Sequence, residues 1–318
     1  MKRIGFAVLA ALLLMALSAC AFAEDPTRVY ALKGPTGIGM VGIMQENEGD
    51  YSFTLCGAAD EIVAAVASGS ADIAACPTNL AATLYNKTNG GVQLLALNTL
   101  GVLHVVTSDP AIQSVQDLAG RTVYATGQAS VPEYVIRYIL EQNGLADRVT
   151  VEYVAEHSEL ATLLATGQVE TGILPEPHVT SAQMQNDQLR AALDVTELFE
   201  DAARAAGKED MVLSMGCVIV RREYAQSHPD QVSAFMDAYA ASVEFVNTDV
   251  SAAAQQVEAF GIMPKAAAAE RAIPNCHIVF IEGDAMRAQI APLYALLYEA
   301  NPASIGGALP GDDFYYVR

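Results

Sequence analysis

The sequence predicts an α/β protein made of two lobes with a similar plan. Two segments, VASGSADIAACP ending at Pro77 and LATGQVETGILP ending at Pro175, both read as helix, glycine turn, acidic residue, apolar strand and proline. Upstream, VYA at residues 29–31 recurs as VYA at residues 123–125. Each copy therefore alternates strands with helices, which is typical of a parallel sheet covered by helices. Two such units in succession predict a clamshell.

Two long apolar stretches predict strands that pass between the lobes. VQLLALNTLGVLHVVTSDP (92–110) suits the outward passage, and MVLSMGCVIVRREY (211–224) suits the return. The remaining chain has helical patterns, the last with an internal Pro292 that predicts a kink. We predict a signal peptide over residues 1–23, the first part of lobe one over 24–108, lobe two over 109–212, and completion of lobe one over 213–318.

The N-terminus has the pattern of an export signal. Lys2 and Arg3 precede an apolar run that is too short for an ordinary membrane span. Residues 17–20 (LSAC) resemble a bacterial lipobox, which predicts lipidation of Cys20 and a tether to the outer face of the cell membrane. A competing A-x-A site at residues 21–23 would instead release a soluble, periplasmic protein. Either cleavage implies export, and the lipobox is the more demanding pattern.

The charge of the chain excludes some classes of partner. The formal net charge is −20, and removal of Lys2 and Arg3 takes it to −22. A protein this acidic lacks the cationic surface that nucleic acid binding requires. It is equally unsuited to spreading on anionic lipid, so one lipid tether on a soluble body fits better. We therefore expect no nucleic-acid partner. We also expect a monomer.

Four cysteines follow Cys20 at wide spacings: Cys56, Cys76, Cys217 and Cys276. Their spacings match no zinc motif, so a zinc site is not expected. We expect no other metal and no cofactor. Export permits disulfides, but four cysteines allow three pairings and the sequence does not choose between them. Small buried thiols are the alternative interpretation.

The stretch GIGMVG at residues 37–42 matches the dinucleotide-binding pattern G-x-G-x-x-G as a string. Its context does not fit, because residues 33–36 separate it from the strand and the next strand ends at Cys56 rather than at a carboxylate. We interpret it as a helix capped by Thr36, with Gly39 and Gly42 packing closely. Pro35, Thr36 and Gly37 would then face a cleft.

The carboxyl ends of parallel strands border the crevice of an α/β sheet, which nominates further cleft residues. These are Thr78 and Asn79 in lobe one and Gln128, Ser130, Glu176 and His178 in lobe two, with Asn98 and Thr99 as weaker candidates. For Thr78, Asn79 and Ser130, helix capping alone is an equal alternative to ligand contact. Glu176 and His178 form either a polar hook on the ligand or a surface turn.

Motifs of catalysis are missing from the sequence. It contains no G-x-S-x-G elbow, no H-E-x-x-H and no Walker A lysine. Glu156, His157 and Ser158 combine acid, imidazole and hydroxyl, but catalytic triads are assembled in space rather than from sequence neighbours. His104, inside an apolar strand, is better explained as a core histidine.

The lipobox, the paired glycine turns, ILPEP at residues 173–177 and DLAGRTVYATGQASVPEYVIRYIL at 117–140 resemble the NMT1/THI5-like solute-binding proteins of ABC importers. This group includes sulfonate, taurine and nitrate binders. The resemblance implies a type 2 periplasmic-binding-protein fold and a solute held between two lobes joined by two crossing strands. It also implies delivery to a permease in the membrane. By position it carries ligand contacts to Pro35, Thr36, Gly37, Thr78, Asn79 and Ser130.

The sequence therefore predicts the extracytoplasmic solute-binding component of an ABC importer, and not an enzyme. The alternative is an enzyme on the same fold, of the pyrimidine-synthesis or menaquinone-pathway type, against which the export signal argues. The cysteine-rich C-C-C-F-C signature of the thiamine-precursor branch is absent. The sequence does not identify the ligand: there is no tryptophan, and Lys33 is the one basic residue in the nominated loops.

Overall fold

The computed structural model describes residues 25–208 and 211–318. The predicted signal segment, residues 1–23 with Cys20, lies outside the described residues. No helix in the described ranges is both long and apolar enough to cross a bilayer.

In residues 25–208 and 211–318, eleven strands form two sheets. They are β1 (Thr27–Leu32), β2 (Tyr51–Cys56), β3 (Ile73–Pro77), β4 (Val92–Leu100), β5 (Leu103–Thr107), β6 (Thr122–Ala125), β7 (Thr150–Tyr153), β8 (Thr171–Pro175), β9 (Arg190–Asp194), β10 (Ser214–Arg221) and β11 (Ile278–Glu282). The first sheet has the order β2-β1-β3-β10-β4-β11, and the second has β7-β6-β8-β5-β9. In each sheet the first three strands are parallel, and the next strand, β10 or β5, is antiparallel to its neighbours.

Thirteen α-helices in the described part of the chain cover these sheets. They are α1 (Pro35–Ile38), α2 (Val41–Gln45), α3 (Ala59–Ala67), α4 (Thr78–Lys87), α5 (Val131–Gln142), α6 (His157–Ala165), α7 (His178–Gln183), α8 (Val195–Ala205), α9 (Arg222–Ser227), α10 (Pro229–Thr248), α11 (Val250–Ala259), α12 (Ala266–Ala272) and α13 (Gly283–Ala300), which contains Pro292. Short 3₁₀ turns lie at Val115–Leu118, Ile273–Asn275, Pro302–Ile305 and Asp312–Phe314.

The predicted α/β class and the internal repeat are confirmed by this arrangement. In lobe one, α3 leads through Gly69 into β3, and in lobe two, α6 leads through Gly167 into β8. Both glycines have a positive φ, +73° and +72°, which a side chain would disfavour. The two matching VYA triplets lie in β1 and β6, the central parallel strands of the two sheets.

The acidic residue of the repeat is used differently in the two copies. Asp72 is buried and accepts hydrogen bonds from Arg28 Nη2 at 2.6 Å and Arg221 Nη2 at 3.1 Å. Its counterpart Glu170 is 66% exposed, with Arg121 Nη1 3.9 Å away. Asp72, just before β3, therefore bridges Arg28 of β1 and Arg221 of β10. The exposed Glu170 of lobe two forms no corresponding buried bridge.

All four described cysteines are free and buried. Cys76 of β3 lies opposite Cys217 of β10, whose thiol is 3.6 Å from the Cys76 carbonyl oxygen. Burial raises the pKa of the Cys217 thiol well above its ordinary value. The arrangement is that of small apolar core residues.

The outward passage between the sheets consists of two strands where one long strand was predicted. β4 ends at Leu100 and β5 begins at Leu103, so Gly101 and Val102 join the sheets. The chain thus enters the second sheet before residue 108, the predicted end of the first part of lobe one. A Cβ on Gly101 would lie 2.0 Å from Thr196 Oγ1 of α8, so the backbone bends here against that helix.

We predict that Gly101→Ala destabilises the protein by about 1–3 kcal/mol, because the new methyl group has no room beside Thr196. Urea unfolding monitored by circular dichroism measures this difference. Gly57→Ala is the matched control, since the nearest atom to its new Cβ is Glu61 Oε1 at 3.6 Å. Adding Thr196→Gly should restore much of the loss. A Gly101→Ala protein as stable as the wild type would contradict this assignment.

Candidate functional site

A cleft of about 210 Å³ lies between the lobes, where the carboxyl ends of β1, β3 and β8 meet the two passages. It is lined by residues of both lobes: Leu32, Lys33, Gly34, Pro35, Thr36, Pro77, Thr99, Val102, His157, Pro175, Glu176, Pro177, His178, Met215 and Gly216. Most of the wall is apolar, and the polar groups are few. This is the usual composition of a site for a small molecule.

The lobe-one wall begins directly after β1. Gly34, with a φ of +95°, precedes α1, and Pro35 is the first helical residue. Thr36 was predicted to cap the helix, and this is wrong: it lies inside α1, and its hydroxyl donates to the Leu32 carbonyl at 2.8 Å. Because that hydrogen is engaged, the Thr36 hydroxyl has only lone pairs left to offer the cleft.

GIGMVG does not form the one helix that was predicted. It is divided between α1 and α2, with the break at Gly39 and Met40. Ser242 of α10 bridges the break: its hydroxyl donates to the Gly39 carbonyl at 2.7 Å and accepts from the backbone N–H of Gly42 at 3.0 Å and of Ile43 at 3.2 Å. Those three bonds supply partners for backbone groups that the break would leave open.

The two later glycines of this stretch allow α10 to approach. A Cβ at Gly42 would be 2.8 Å from the Ser242 hydroxyl, and one at Gly39 would be 2.9 Å from the Tyr239 hydroxyl. Gly39 and Gly42 thus serve close packing, as the sequence indicated. Nothing in this geometry resembles a dinucleotide-binding turn, where the glycines lie between strand and helix.

The lobe-two wall centres on Glu176, which follows β8. Its side chain is 3% exposed, and its carboxylate accepts from the Thr180 backbone N–H at 3.1 Å and the Thr180 hydroxyl at 3.0 Å. Asn275, from the 3₁₀ turn of lobe one, donates to it as well. Burial raises the pKa of Glu176, and the hydrogen bonds from Thr180 and Asn275 act in the opposite direction. Glu176 is thus a point at which the two lobes meet.

Two histidines flank this carboxylate at the starts of α6 and α7. The rings of His157 and His178 are 5.3 Å apart, and His157 Nδ1 lies 2.6 Å from the Thr126 hydroxyl. Burial lowers the pKa of His157, and burial together with His157 lowers the pKa of His178 to about 4. Both imidazoles are therefore neutral near pH 7, and they line the cleft without charge.

The structure places the other nominated residues away from the cleft lining. Gly37 lies behind Thr36, where a Cβ would be 2.7 Å from the Leu32 carbonyl oxygen. Asn79 donates to the Ser304 carbonyl, and Thr78 is fully buried and donates to the Ser214 carbonyl. Gln128 is exposed, and the Ser130 hydroxyl donates to the Gly127 carbonyl at 2.6 Å.

The sequence interpretation missed Val102, Met215 and Gly216, which lie on the two passages. Gly216 had a usable signal, since a glycine inside a strand often marks a close approach. A Cβ there would be 2.6 Å from Asn98 Oδ1 and 2.9 Å from the Thr36 methyl group. Thr99, a weaker candidate, does line the cleft, and its hydroxyl donates to Asn98 Oδ1 at 3.2 Å.

Other pockets and side-chain clusters in the described ranges have fewer features of a functional site. A groove of about 520 Å³ lies between α5, residues 206–208 and α13, but it contains none of the strand ends that border an α/β crevice. No group of three or more His, Cys, Asp or Glu side chains in the described part of the chain is placed to hold a metal ion. The interlobe cleft is therefore the candidate functional site.

We predict that His178 makes the protein lose stability in mild acid. The folded protein keeps His178 neutral to about pH 4, whereas the unfolded chain protonates it near pH 6.5. Its contribution is therefore complete above about pH 6.5 and is lost as the pH falls toward 4, by about 1–3 kcal/mol. Thermal melts across this range should fall less steeply for His178→Gln than for wild type. Identical slopes would count against the assignment, and His228→Gln, outside the cleft, controls for the substitution.

Comparison with known proteins gives a family and a fold. The profile of the family described as NMT1/THI5 like matches residues 57–253, more than half of the chain. No curated protein matches. An ABC transporter structure from Parabacteroides distasonis is 21% identical, with a TM-score of 0.80 over 93% of this chain and 100% of that one. The aliphatic sulphonate binding protein SsuA from Escherichia coli is 14% identical, with a TM-score of 0.72 over 93% of each chain.

A third similar structure is the alkanesulfonate-binding protein SsuA from Xanthomonas axonopodis pv. citri bound to MOPS. It is 16% identical, with a TM-score of 0.64 over 91% of this chain and 96% of that one. At these identities the likeness concerns the fold, which is the periplasmic-binding-protein fold that the strand orders also show. Together with the profile match, it establishes that the chain belongs to the NMT1/THI5-like family.

Proposed function

We propose that this protein is the extracytoplasmic solute-binding component of an ABC importer, which captures a small solute between its lobes and delivers it to a permease. The observation that carries the proposal is the interlobe cleft, whose lining comes from both sheets and both passages. A solute in this position contacts both lobes at once. Family membership and the fold shared with SsuA proteins support the same function.

Capture by closure follows from how the cleft is built. A solute that contacts both lobes gains its full set of contacts only when they are together, so it shifts an equilibrium between open and closed forms. Asn275 of lobe one and Glu176 of lobe two already hydrogen-bond across the interface, which marks where closure brings the lobes together. The passage at Gly101 and Val102 is a short hinge between the sheets.

The chemistry of the cleft supports binding rather than catalysis. As far as the structure describes the chain, its lining contains no serine or cysteine. The hydroxyls of Thr36 and Thr99 donate to a carbonyl and an amide oxygen rather than to a base. A nucleophile needs an adjacent general base to be activated. Neither threonine has one, so no second, enzymatic function is proposed.

We also propose that the protein is anchored to the outer face of the cell membrane. The lipobox pattern at residues 17–20 supports lipidation of Cys20, and the net charge of −20 suits a soluble body held by one anchor rather than spread on lipid. We further propose that the protein acts as a monomer, because one chain supplies both walls of the cleft.

A filled cleft is the most direct test of solute capture. The low-molecular-weight fraction of yeast extract, as a mixed source of solutes, should raise the melting temperature by a few degrees and lower the radius of gyration. Met215→Trp, which fills the cleft, should abolish both effects. Met184→Trp is the matched control, since Met184 is 43% exposed and lies outside the cleft lining. An equal response from Met215→Trp, or none from wild type, would contradict the proposal.

The anchor is tested separately. In a bacterial host, we expect the wild-type chain to enter the detergent phase on Triton X-114 partition, because the lipid on Cys20 is apolar. Cys20→Ser should move the protein to the aqueous phase, whereas Cys56→Ser, at a buried cysteine of β2, should not. Release of the wild-type protein as a chain beginning after Ala23 would refute lipidation and favour the A-x-A site.

A further inference from the structure

The two threonine hydroxyl groups that line the cleft can only accept hydrogen bonds from a solute. Thr36 donates its hydrogen to the Leu32 carbonyl and Thr99 donates to Asn98 Oδ1, so both present lone pairs to a solute. A solute with acceptor oxygens would gain nothing from these two groups. A solute with N–H donors would satisfy both.

Glu176 also favours a solute with N–H donors, because its carboxylate accepts hydrogen bonds. Its carboxylate has about four lone-pair sites, and the bonds from Thr180 and Asn275 occupy three. No lysine, arginine or histidine among residues 25–208 and 211–318 forms an ion pair with it. A carboxylate that is 3% exposed and has no cationic partner is costly, and a cation in the cleft would offset that cost.

The cleft has few cationic side chains that could bind an anion. Among the described residues, Lys33 is the one cationic side chain in its lining, and it is exposed. The two histidines are neutral, because burial lowers the pKa of each. No arginine of the described ranges lines the cleft, although arginine is the residue best suited to hold an oxyanion in two-point contact.

We propose that the cleft binds a small organic cation, a protonated amine, amidine or guanidine, whose N–H groups donate to Glu176 and to the hydroxyl oxygens of Thr36 and Thr99. This inference rests on the proposed function and assigns the class of its solute. A sulfonate, the ligand class in the names of two structures that share this fold, is an anion, so the proposed solute has the opposite charge.

Fractionation by charge tests the proposal without a known ligand. Yeast extract of low molecular weight is separated at pH 7 on cation- and anion-exchange resins, and each fraction is added to the protein in a thermal-shift assay. We expect the stabilising solute in the fraction that the cation exchanger retains. A shift only with the anion-exchange or unretained fraction would overturn the cationic assignment and leave solute capture standing. No shift with any fraction would contradict solute capture itself.

Variants then locate the recognised charge. Glu176→Gln keeps the size of the side chain and removes its charge, so it should weaken binding of the active fraction about 10- to 100-fold in a titration of the thermal shift. Glu176→Asp keeps the charge and should retain part of the affinity, which a loss of packing alone would not predict. Glu170→Gln, at the exposed counterpart in the repeat, is the matched control and should bind as wild type does.

The unliganded melting temperature of each variant reports whether it has folded. Lys33→Ala supplies the opposite test, since removal of a like charge at the rim should leave binding of a cation intact or stronger. If Lys33→Ala abolishes binding while Glu176→Gln retains it, the ligand is an anion and the proposal is wrong.

Discussion

The cleft depends on the two residues that join the sheets, Gly101 and Val102. With β4 and β5 so close in sequence, the carboxyl ends of the parallel strands in both lobes are held toward one another. The return strand β10 inserts between β3 and β4, antiparallel to both. The short connection between the sheets therefore contributes to the site as much as side-chain packing does. It brings the strand ends that border the crevice of one sheet next to those of the other.

The polar groups in the walls are fixed before a solute arrives. Thr180 and Asn275 hold the carboxylate of Glu176, the Leu32 carbonyl takes the hydrogen of Thr36, and Thr126 holds one nitrogen of His157. Side chains that are already oriented lose little conformational freedom on binding. The wall is thus a pre-arranged set of polar groups, and under the proposed function a solute would need little reorganisation of it.

The sequence predicted the fold well because a repeated pattern of glycine turn, strand and proline reports βαβ units directly. The strand-end rule also led to Pro35, Thr36, Glu176 and His178, which line the cleft. Thr78 and Asn79 follow the same rule, but their polar atoms bond to backbone carbonyls of Ser214 and Ser304, distant in sequence. The strand-end rule did not find Met215 and Gly216, because they lie within the antiparallel strand β10. The carboxyl end of that strand is not in the cleft.

The bridge from Ser242 to the broken helix has a consequence for the order in which the molecule assembles. The hydroxyl that completes α1 and α2 comes from a residue 203 positions after its acceptor, Gly39. In a chain made from its N-terminus, the backbone groups of Gly39, Gly42 and Ile43 at this break lack the Ser242 hydroxyl until most of the protein has been synthesised. The break between α1 and α2, although early in the sequence, is therefore completed only after α10 has been made.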